Sequence, residues 1–517
     1  MRIYNTMSRQ KEEFVPIEAG KVKLYACGPT VYNYFHIGNA RAFITFDVVR
    51  RYLEYRGLEV TYVQNITDIE DKIIAQSIKE NIPFTAVADK YTQAFLEDVK
   101  RLGTKPPTFQ PKATEYMQSM IDLIKEQVDK GLAYESNGDV YFAVTKLPQY
   151  GQLSGKKLDD QKAGARVEEN ENKQHPADFT LWKAAKPGEP SWDSPWGKGR
   201  PGWHTECVVM SRDLLGETFD LHGGGTDLMF PHHENELAQA LATTGKPLAN
   251  FWMHNGFLNI EGEKMSKSLN NFFTAREILD VYDAEAIRFF FLSKHYRSPI
   301  DFNRELIEES NTAISRFYQA LESVNWLEAD INDIVIDGVL KSAEFRFQTN
   351  MDDDFNTAAA LVDIFYLAHV ALDSSQEIAF RLGAAKLMVQ LGGVLGFFQN
   401  VDRRLKKPLP NVDSLFSVLE IAIDFLDDSS KDDLEIMLNE NSPYSRKEKL
   451  FGYYSLKFQI TNPNLNDSEV LLAILLNIRK ESRERKNWVL SDRIRDDLSA
   501  IGVEVKDTKD GTVWKLL

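Results

Sequence analysis

Apolar and polar positions alternate over Val22-Lys23-Leu24-Tyr25-Ala26, and the run breaks at Gly28-Pro29. A period of two predicts a strand, and Gly-Pro its end. From Ala40 to Tyr55 the spacing changes. Phe43, Ile44, Val48 and Tyr52 fall on one face of a predicted helix that closes at Gly57. Val60, Tyr62 and Gln64 return to alternation and predict a second strand. A strand, helix and strand of this length form a βαβ unit, with parallel strands and a right-handed crossover. The fold class is therefore α/β with a Rossmann-like parallel sheet. Its ligands are expected at the carboxyl ends of strands, near a switch point.

The pattern continues with helical spacing over Thr85–Leu102 and Thr114–Lys130 and a strand over Asp139–Thr145. An irregular stretch follows, rich in Gly and Pro and carrying Trp182, Trp192 and Trp196. It reads as a small inserted subdomain pinned by aromatics. Phe219–His222 predicts a strand that runs into Gly223-Gly224-Gly225. A helix is expected from Pro231 to Ala242, a strand over Phe251–Ile260 and a helix from near Thr274. Beyond Asp301 the chain reads as helices, with Ala358, Leu361, Ile364, Phe365 and Leu367 on an apolar face. Val503–Val505, Asp510-Gly511 and Val513-Trp514 predict a closing hairpin. The resulting division is a Rossmann-like domain over 1–137 and 201–300, an insert over 138–200 and a helical bundle over 301–403. An acidic, turn-rich segment without interpretable signal covers 404–464, and a small basic unit covers 465–517.

A length of 517 residues exceeds one core. The net charge of −16 excludes attraction of nucleic acid by the whole surface, so any such contact must be local. Met1–Gly20 is polar, without the apolar core of a secretory signal, and no apolar run reaches membrane-spanning length. A cytoplasmic monomer is expected. In a reducing compartment the two cysteines, Cys27 and Cys207, are not expected to pair; two buried thiols is the plain reading.

Candidate chemistry changes that picture. Lys264-Met265-Ser266-Lys267-Ser268 carries two ammonium groups and two hydroxyls, a set able to hold a polyphosphate; a solvated loop is the alternative. His36-Ile37-Gly38-Asn39 sits where the first strand turns into the first helix, and helix-terminal amides point at anions there. In Pro231-His232-His233-Glu234-Asn235-Glu236, His232 and Glu236 are four apart and share a helix face. Alone, this is a polar helix start, where glutamates are favoured anyway. Together, Cys27, Cys207, His232 and Glu236 make a tetrahedral set of two sulfurs, one nitrogen and one oxygen, which suits zinc. His233 is the register alternative.

The strings H-I-G-N and K-M-S-K-S, in this order, resemble the two signatures of class I aminoacyl-tRNA synthetases. With C-G-P-T-V-Y-N, G-W-H-T-E-C, H-G-G-G-T-D-L and P-H-H-E-N-E between them, the chain resembles the cysteinyl-tRNA synthetase family. The likeness is dense from about 20 to 300 and weaker at N-W-x-x-x-D-x-I-R-D-x-L near the end. It fails over 404–464, which looks like an insertion. Asn39 stands at the fourth place of the first signature, where most class I enzymes have histidine, and carries no charge.

The resemblance implies activation of L-cysteine by ATP and its transfer to tRNA(Cys), with one Zn2+ per chain binding the substrate thiol and Mg2+ accompanying ATP. It puts Trp203, Cys27 and Cys207 beside the substrate cysteine. His36 and Lys267 would be catalytic; His36, Gly38, Asn39, Asp227, Lys264 and Lys267 would hold ATP. A metal–thiolate bond discriminates against serine strongly enough that no editing domain is required. Arg479, Lys480, Arg483, Arg485, Lys486, Arg493 and Arg495, with Trp488 among them, form the candidate tRNA surface; a solvated helix pair is the alternative. Three rival readings are a cysteine ligase with a small amine acceptor, a zinc hydrolase using Glu206 or Glu234 as base, and a non-enzymatic tRNA-binding protein.

Overall fold

Strand β1 (Lys21–Ala26) lies at the centre of a parallel sheet and is buried through its second half. Helix α1 (Ile37–Tyr55) follows, burying Ile37, Phe43, Ile44, Val48 and Tyr52. It starts three residues before the predicted Ala40, because the extended backbone of His36 already serves as its cap. Strand β2 (Glu59–Gln64) returns beside β1, with Val22 opposite Val60. After the inserted region come α2 (Thr205–Leu215), β3 (Phe219–Gly225), α3 (Glu234–Thr244) and β4 (Ala249–Asn255). The sheet order is β4-β3-β1-β2, parallel throughout. The chain leaves β1 on one side to make β2 and reaches β3 on the other. The crevice between the carboxyl ends of β1 and β3 is thus the switch point where such sheets bind ligands.

This computed structural model describes residues 1–156, 171–260, 263–264, 273–331, 334, 336, 338–405, 412–426, 446–460, 467–508 and 511–516. They form two compact units, Met1–Val401 and Asp402–Leu517. In the first, Ala133–Ser136, Asp139–Phe142, Phe179–Ala184 and Gly199–Pro201 make a separate antiparallel sheet. Trp182 is fully buried there and packs near Trp196.

The strand expected over Phe251–Ile260 is two strands. β4 ends at Asn255, and Leu258–Ile260 joins another sheet, beside Glu263–Lys264 and Ile300–Phe302. The break falls at Gly256, where a Cβ would lie 2.6 Å from the carbonyl oxygens of Arg297 and Ser298.

Helices Arg304–Glu322, Gly338–Asp352, Thr357–Leu372 and Ile378–Val394 complete the first unit. They hold the far end of α1: the Tyr52 hydroxyl donates to Asp352 (2.7 Å) and the Tyr55 hydroxyl to Glu344 (2.7 Å). Asp47, also on α1, is buried between Arg288 (2.6 Å) and Arg51 (2.8 Å).

In the second unit, helices Val412–Asp424, Arg446–Lys457, Asp467–Glu484 and Trp488–Ala500 pack with the hairpin Val503–Thr508/Gly511–Leu516. Leu415, Leu419, Leu450, Leu471, Leu475, Ile494 and Val503 share one core. The segment 404–464, whose sequence carried no readable signal, supplies two of these helices.

Candidate functional site

A cavity of about 340 Å³ opens at the carboxyl ends of β1 and β3. Cys27, His36, Gly38, Asn39, Trp203 and Asp227 all line it. The chain can turn so sharply after β1 only because residue 28 is glycine. A Cβ there would meet the Asn65 carbonyl oxygen at 1.7 Å, and the Gly28 N–H donates to the Asn65 side chain (2.9 Å). The His36 loop is tied by its backbone to the residues just after the lysine-rich stretch. Ile37 donates to the Phe273 carbonyl (3.0 Å) and Ala275 to the Phe35 carbonyl (2.9 Å). Lys264 contributes backbone to the strand Glu263–Lys264; its side chain, and the whole of Lys267, lie outside the described residues. Lys72, in the first turn of the helix Asp71–Glu80, also lines the cavity. The sequence reading missed it, since one lysine in a helical pattern carries no signal.

Beside Cys27 the chain gathers sulfur, imidazole and carboxylate groups. Cys27 Sγ is 4.0 Å from Cys207 Sγ and 3.8 Å from Glu236 Oε1; Cys207 Sγ is 3.6 Å from His232 Nε2, and His232 Nε2 is 2.9 Å from Glu236 Oε1. A tetrahedral zinc, with bonds of about 2.3 Å to sulfur and 2.0–2.2 Å to nitrogen or oxygen, separates two sulfurs by about 3.8 Å and a sulfur from a nitrogen or oxygen by about 3.5 Å. The two cysteines, His232 and Glu236 fit that frame, with the imidazole–carboxylate edge shorter than the roughly 3.3 Å a zinc would set. A second set, Cys27, His222, His233 and Glu236, also converges. There His222 Nε2 lies 2.6 Å from Glu236 Oε2 and His233 Nε2 3.2 Å from Cys27 Sγ. Those separations suit hydrogen bonds that orient ligands better than two bonds to one ion.

The surroundings are built to hold these rings. Trp203 stacks on His232 with centroids 4.0 Å apart, and His204 Nδ1 lies 3.0 Å from His232 Nδ1. His233 Nδ1 lies 2.8 Å from His254 Nε2. Burial opposes charge on Glu236, yet His222 and His232 hold its carboxyl well below the usual range. Burial likewise opposes charge on His232, but Glu236 and Cys207 raise it to about 10. Burial also pushes the Cys27 thiol well up. It presses the same way on Cys207, where hydrogen bonds from Cys27 and His232 win and bring the thiol down to about 6. His204 and His254 are kept neutral by burial, each near 3.

Both candidate hydrolytic bases are already hydrogen-bonded, although one oxygen of Glu206 has no partner. Glu234, two residues from Glu236 on the same helix, accepts from the backbone N–H groups of Gly151 (2.9 Å) and Ser154 (2.7 Å). Glu206 accepts from the Thr67 hydroxyl (2.7 Å), and burial raises its carboxyl well above the usual range. His204, His222 and His254 were missed in the sequence because single histidines at unrelated positions show no spacing.

The basic surface of the second unit is smaller than its sequence suggests. Arg479 is buried and pairs with Asp507 (2.7 Å), so it leaves the candidate set. Arg483 also pairs with Asp507 (2.7 Å) and lies over the Trp488 ring. Arg493 pairs with Asp497 and Arg495 with Asp492 and Asp496. Lys480, Arg485 and Lys486 are exposed, as is Trp488.

Comparison with known proteins bears on the whole chain. Residues 13–312 match the family of class I (C) tRNA synthetase catalytic domains, and residues 346–399 match the DALR domain. Cysteine–tRNA ligases of Syntrophotalea carbinolica and Thermococcus onnurineus are each 43% identical, over all of this chain and 99% of theirs. That of Clostridioides difficile is 44% identical over the full length of both. Among solved structures, methionyl-tRNA synthetase of Mycobacterium tuberculosis with methionyl-adenylate aligns at TM-score 0.53 and 14% identity, over 72% of this chain and 90% of its own. A LeuRS–tRNA–LeuAMS complex of Agrobacterium radiobacter aligns at 0.56 and 11%, over 76% and 86%. At those identities the structures bear on the fold alone. The end-to-end identity and the catalytic-domain match decide the family: the chain belongs to the cysteine–tRNA ligases, within the class I aminoacyl-tRNA synthetases.

Proposed function

We propose that the chain joins L-cysteine to tRNA(Cys) in two ATP-dependent steps. The cysteine carboxylate attacks the α-phosphorus of ATP, the bond to the β-phosphate oxygen breaks, and pyrophosphate leaves. A hydroxyl of the terminal ribose of tRNA then attacks the carbonyl of cysteinyl-adenylate, and AMP leaves. Charge spreads over the transferring phosphoryl group, so the protein's work is positioning and electrostatics. His36 and Asn39 face the phosphates at the amino end of α1, Gly38 lets the nucleotide approach the backbone, and Asp227 accepts from the ribose. Lys264 and Lys267 neutralise the outer phosphates, with Mg2+ accompanying ATP. Trp203 forms the wall beside the substrate side chain.

Cys27, Cys207, His232 and Glu236 would hold one Zn2+, which stabilises the thiolate of the substrate and so separates cysteine from serine. Residues 1–137 and 201–300 carry this chemistry, 138–200 is the insert and 301–403 the helical domain. In the second unit, Arg485, Lys486 and Trp488, with Arg483 beneath the ring, contact tRNA. We take the enzyme to act as a cytoplasmic monomer; among the described residues no helix is long and apolar enough to cross a membrane.

The observation that carries the reading is the meeting of the zinc-type cluster and the His36 loop on one cavity at the switch point, Cys27 belonging to both. ATP–pyrophosphate exchange measured with each of the twenty amino acids tests it. Exchange with cysteine alone is expected; exchange with none, or with several equally, would sink it.

A further inference from the structure

Arg41 is only 1% exposed, and none of its hydrogen-bond partners is a carboxylate. It lies two residues beyond Asn39 on α1, on the turn whose neighbours Asn39 and Ala42 line the cavity. One arm of its guanidinium donates to the carbonyl oxygens of Gly256 (2.8 Å) and Phe257 (2.9 Å). The other donates to those of Ser298 (2.5 Å) and His295 (3.3 Å). Gly256, Phe257 and Leu258 form one wall of the cavity.

A buried charge is costly unless its hydrogen bonds are met. Here four backbone carbonyls, gathered from two loops, meet its two terminal amino groups, while the buried Nε–H is left without a partner. Burial brings this guanidinium down only to about 10, so it stays charged at neutral pH. Carbonyl oxygens converging from two loops would repel each other without a cation between them. The planar fork of arginine reaches both pairs at once; a lysine ammonium has three donors at one point and cannot.

We propose that Arg41 is a positioning residue for ATP: by clamping residues 256–257 to residues 295–298 it sets the wall against which the nucleotide seats. The proposal rests on reading this cavity as the nucleotide site. The sequence offers no hint of it, because an arginine inside a helical pattern reads as solvent-exposed. The backbone supports the same wall: Gly256 donates to the Tyr296 carbonyl (2.8 Å) and Ile300 to the Phe257 carbonyl (3.1 Å). Asp354, wholly buried, holds the second loop through the Tyr296 hydroxyl (2.8 Å) and Arg297 (2.8 Å).

The test is exchange kinetics on the full chain, with thermal unfolding in parallel. A misplacement of order 1 Å can cost about 100-fold, so Arg41→Lys should raise the KM for ATP by about tenfold or more while the KM for cysteine stays within about twofold. Guanidinium ion added to Arg41→Ala should lower its KM for ATP again. Gly256→Ala disturbs the same wall while leaving the guanidinium itself in the chain and should show the same split; it serves where the Arg41 variants do not fold. The inference is overturned if Arg41→Lys folds and keeps the wild-type KM for ATP. It is also overturned if both KM values rise together, or if Gly256→Ala leaves ATP binding unchanged. Wild-type protein without cysteine-dependent exchange would instead remove the reading of the cavity.

Discussion

The two overlapping ligand sets make opposite statements about single substitutions, and the difference can be measured as metal affinity. If the ion sits among Cys27, Cys207, His232 and Glu236, then His232→Ala and Cys207→Ser each delete a direct ligand. His233→Ala deletes only an imidazole that lies 3.2 Å from Cys27 Sγ and orients it. Loss of an orienting partner costs about 10–100-fold in affinity, or roughly 1.4–2.7 kcal/mol. Loss of a direct ligand should exceed that range. The same numbers appear in stability. At a free zinc concentration of 100 times the wild-type Kd, bound metal stabilises the native state by about 2.7 kcal/mol; a variant that binds 100-fold more weakly gains only about 0.4 kcal/mol. The assay is denaturant unfolding with and without chelator-buffered zinc, alongside metal content after dialysis. Cys207→Ser and His232→Ala should lose the zinc-dependent increment, whereas His233→Ala should keep a reduced one. If His233→Ala and His222→Ala abolish it while Cys207→Ser keeps it, the ion belongs to the second set and the assignment above is wrong.

Lys267→Ala should lower the rate of pyrophosphate exchange by orders of magnitude with cysteine binding nearly intact, since the lysine acts on charge that builds in the transition state; an unchanged rate in pre-steady-state assays would leave that loop merely solvated. Trp488→Ala should weaken tRNA binding about 5- to 150-fold if it stacks on an unpaired base, and Lys486→Glu should weaken it in a salt-dependent way; filter binding at two ionic strengths that finds neither effect would move the tRNA contact elsewhere. Asp71 is half-exposed and ties the helix Asp71–Glu80 to Lys183 (2.6 Å) and Arg200 of the antiparallel sheet. Burial alone would raise its carboxyl, but those two cations hold it below the usual 3.8. A lowered carboxylate stabilises the fold above its unfolded value and loses that contribution as pH falls through the folded one. Asp71→Asn should therefore destabilise the protein at neutral pH and flatten its stability profile below about pH 4; an unaltered acid limb in urea melts would remove the ion pair from the account.

Much of this protein follows from local pattern. Alternation over Lys21–Ala26 and Glu59–Gln64, with helical spacing between them, requires a βαβ unit and so a parallel sheet. That His36, Gly38, Asn39 and Asp227 would line the cavity was legible because each lies in the short loop or first helical turn after a strand's carboxyl end, and that location is a property of a few consecutive residues. His232 and Glu236 were legible from their spacing of four. What the pattern could not decide were matters of direction and of distant pairing. His232 and His233 are neighbours in sequence, yet one faces Cys207 and the other Cys27. Glu234 and Glu236 are two apart on one helix, so one turns to backbone amides and the other into the cluster. Arg479 was read as a surface cation and Arg41 carried no signal, yet each is buried because its partners come from more than 25 residues away. The strand expected through Ile260 breaks at Gly256 because a different loop occupies the space a side chain would need. The two helices within 404–464 could not be placed because their apolar positions find their complement only in the core of the second unit. Secondary structure and loop chemistry are set by neighbours in sequence. Which side chain meets which, and whether a charge reaches water, is set by neighbours in space, and these exist only once the chain has folded.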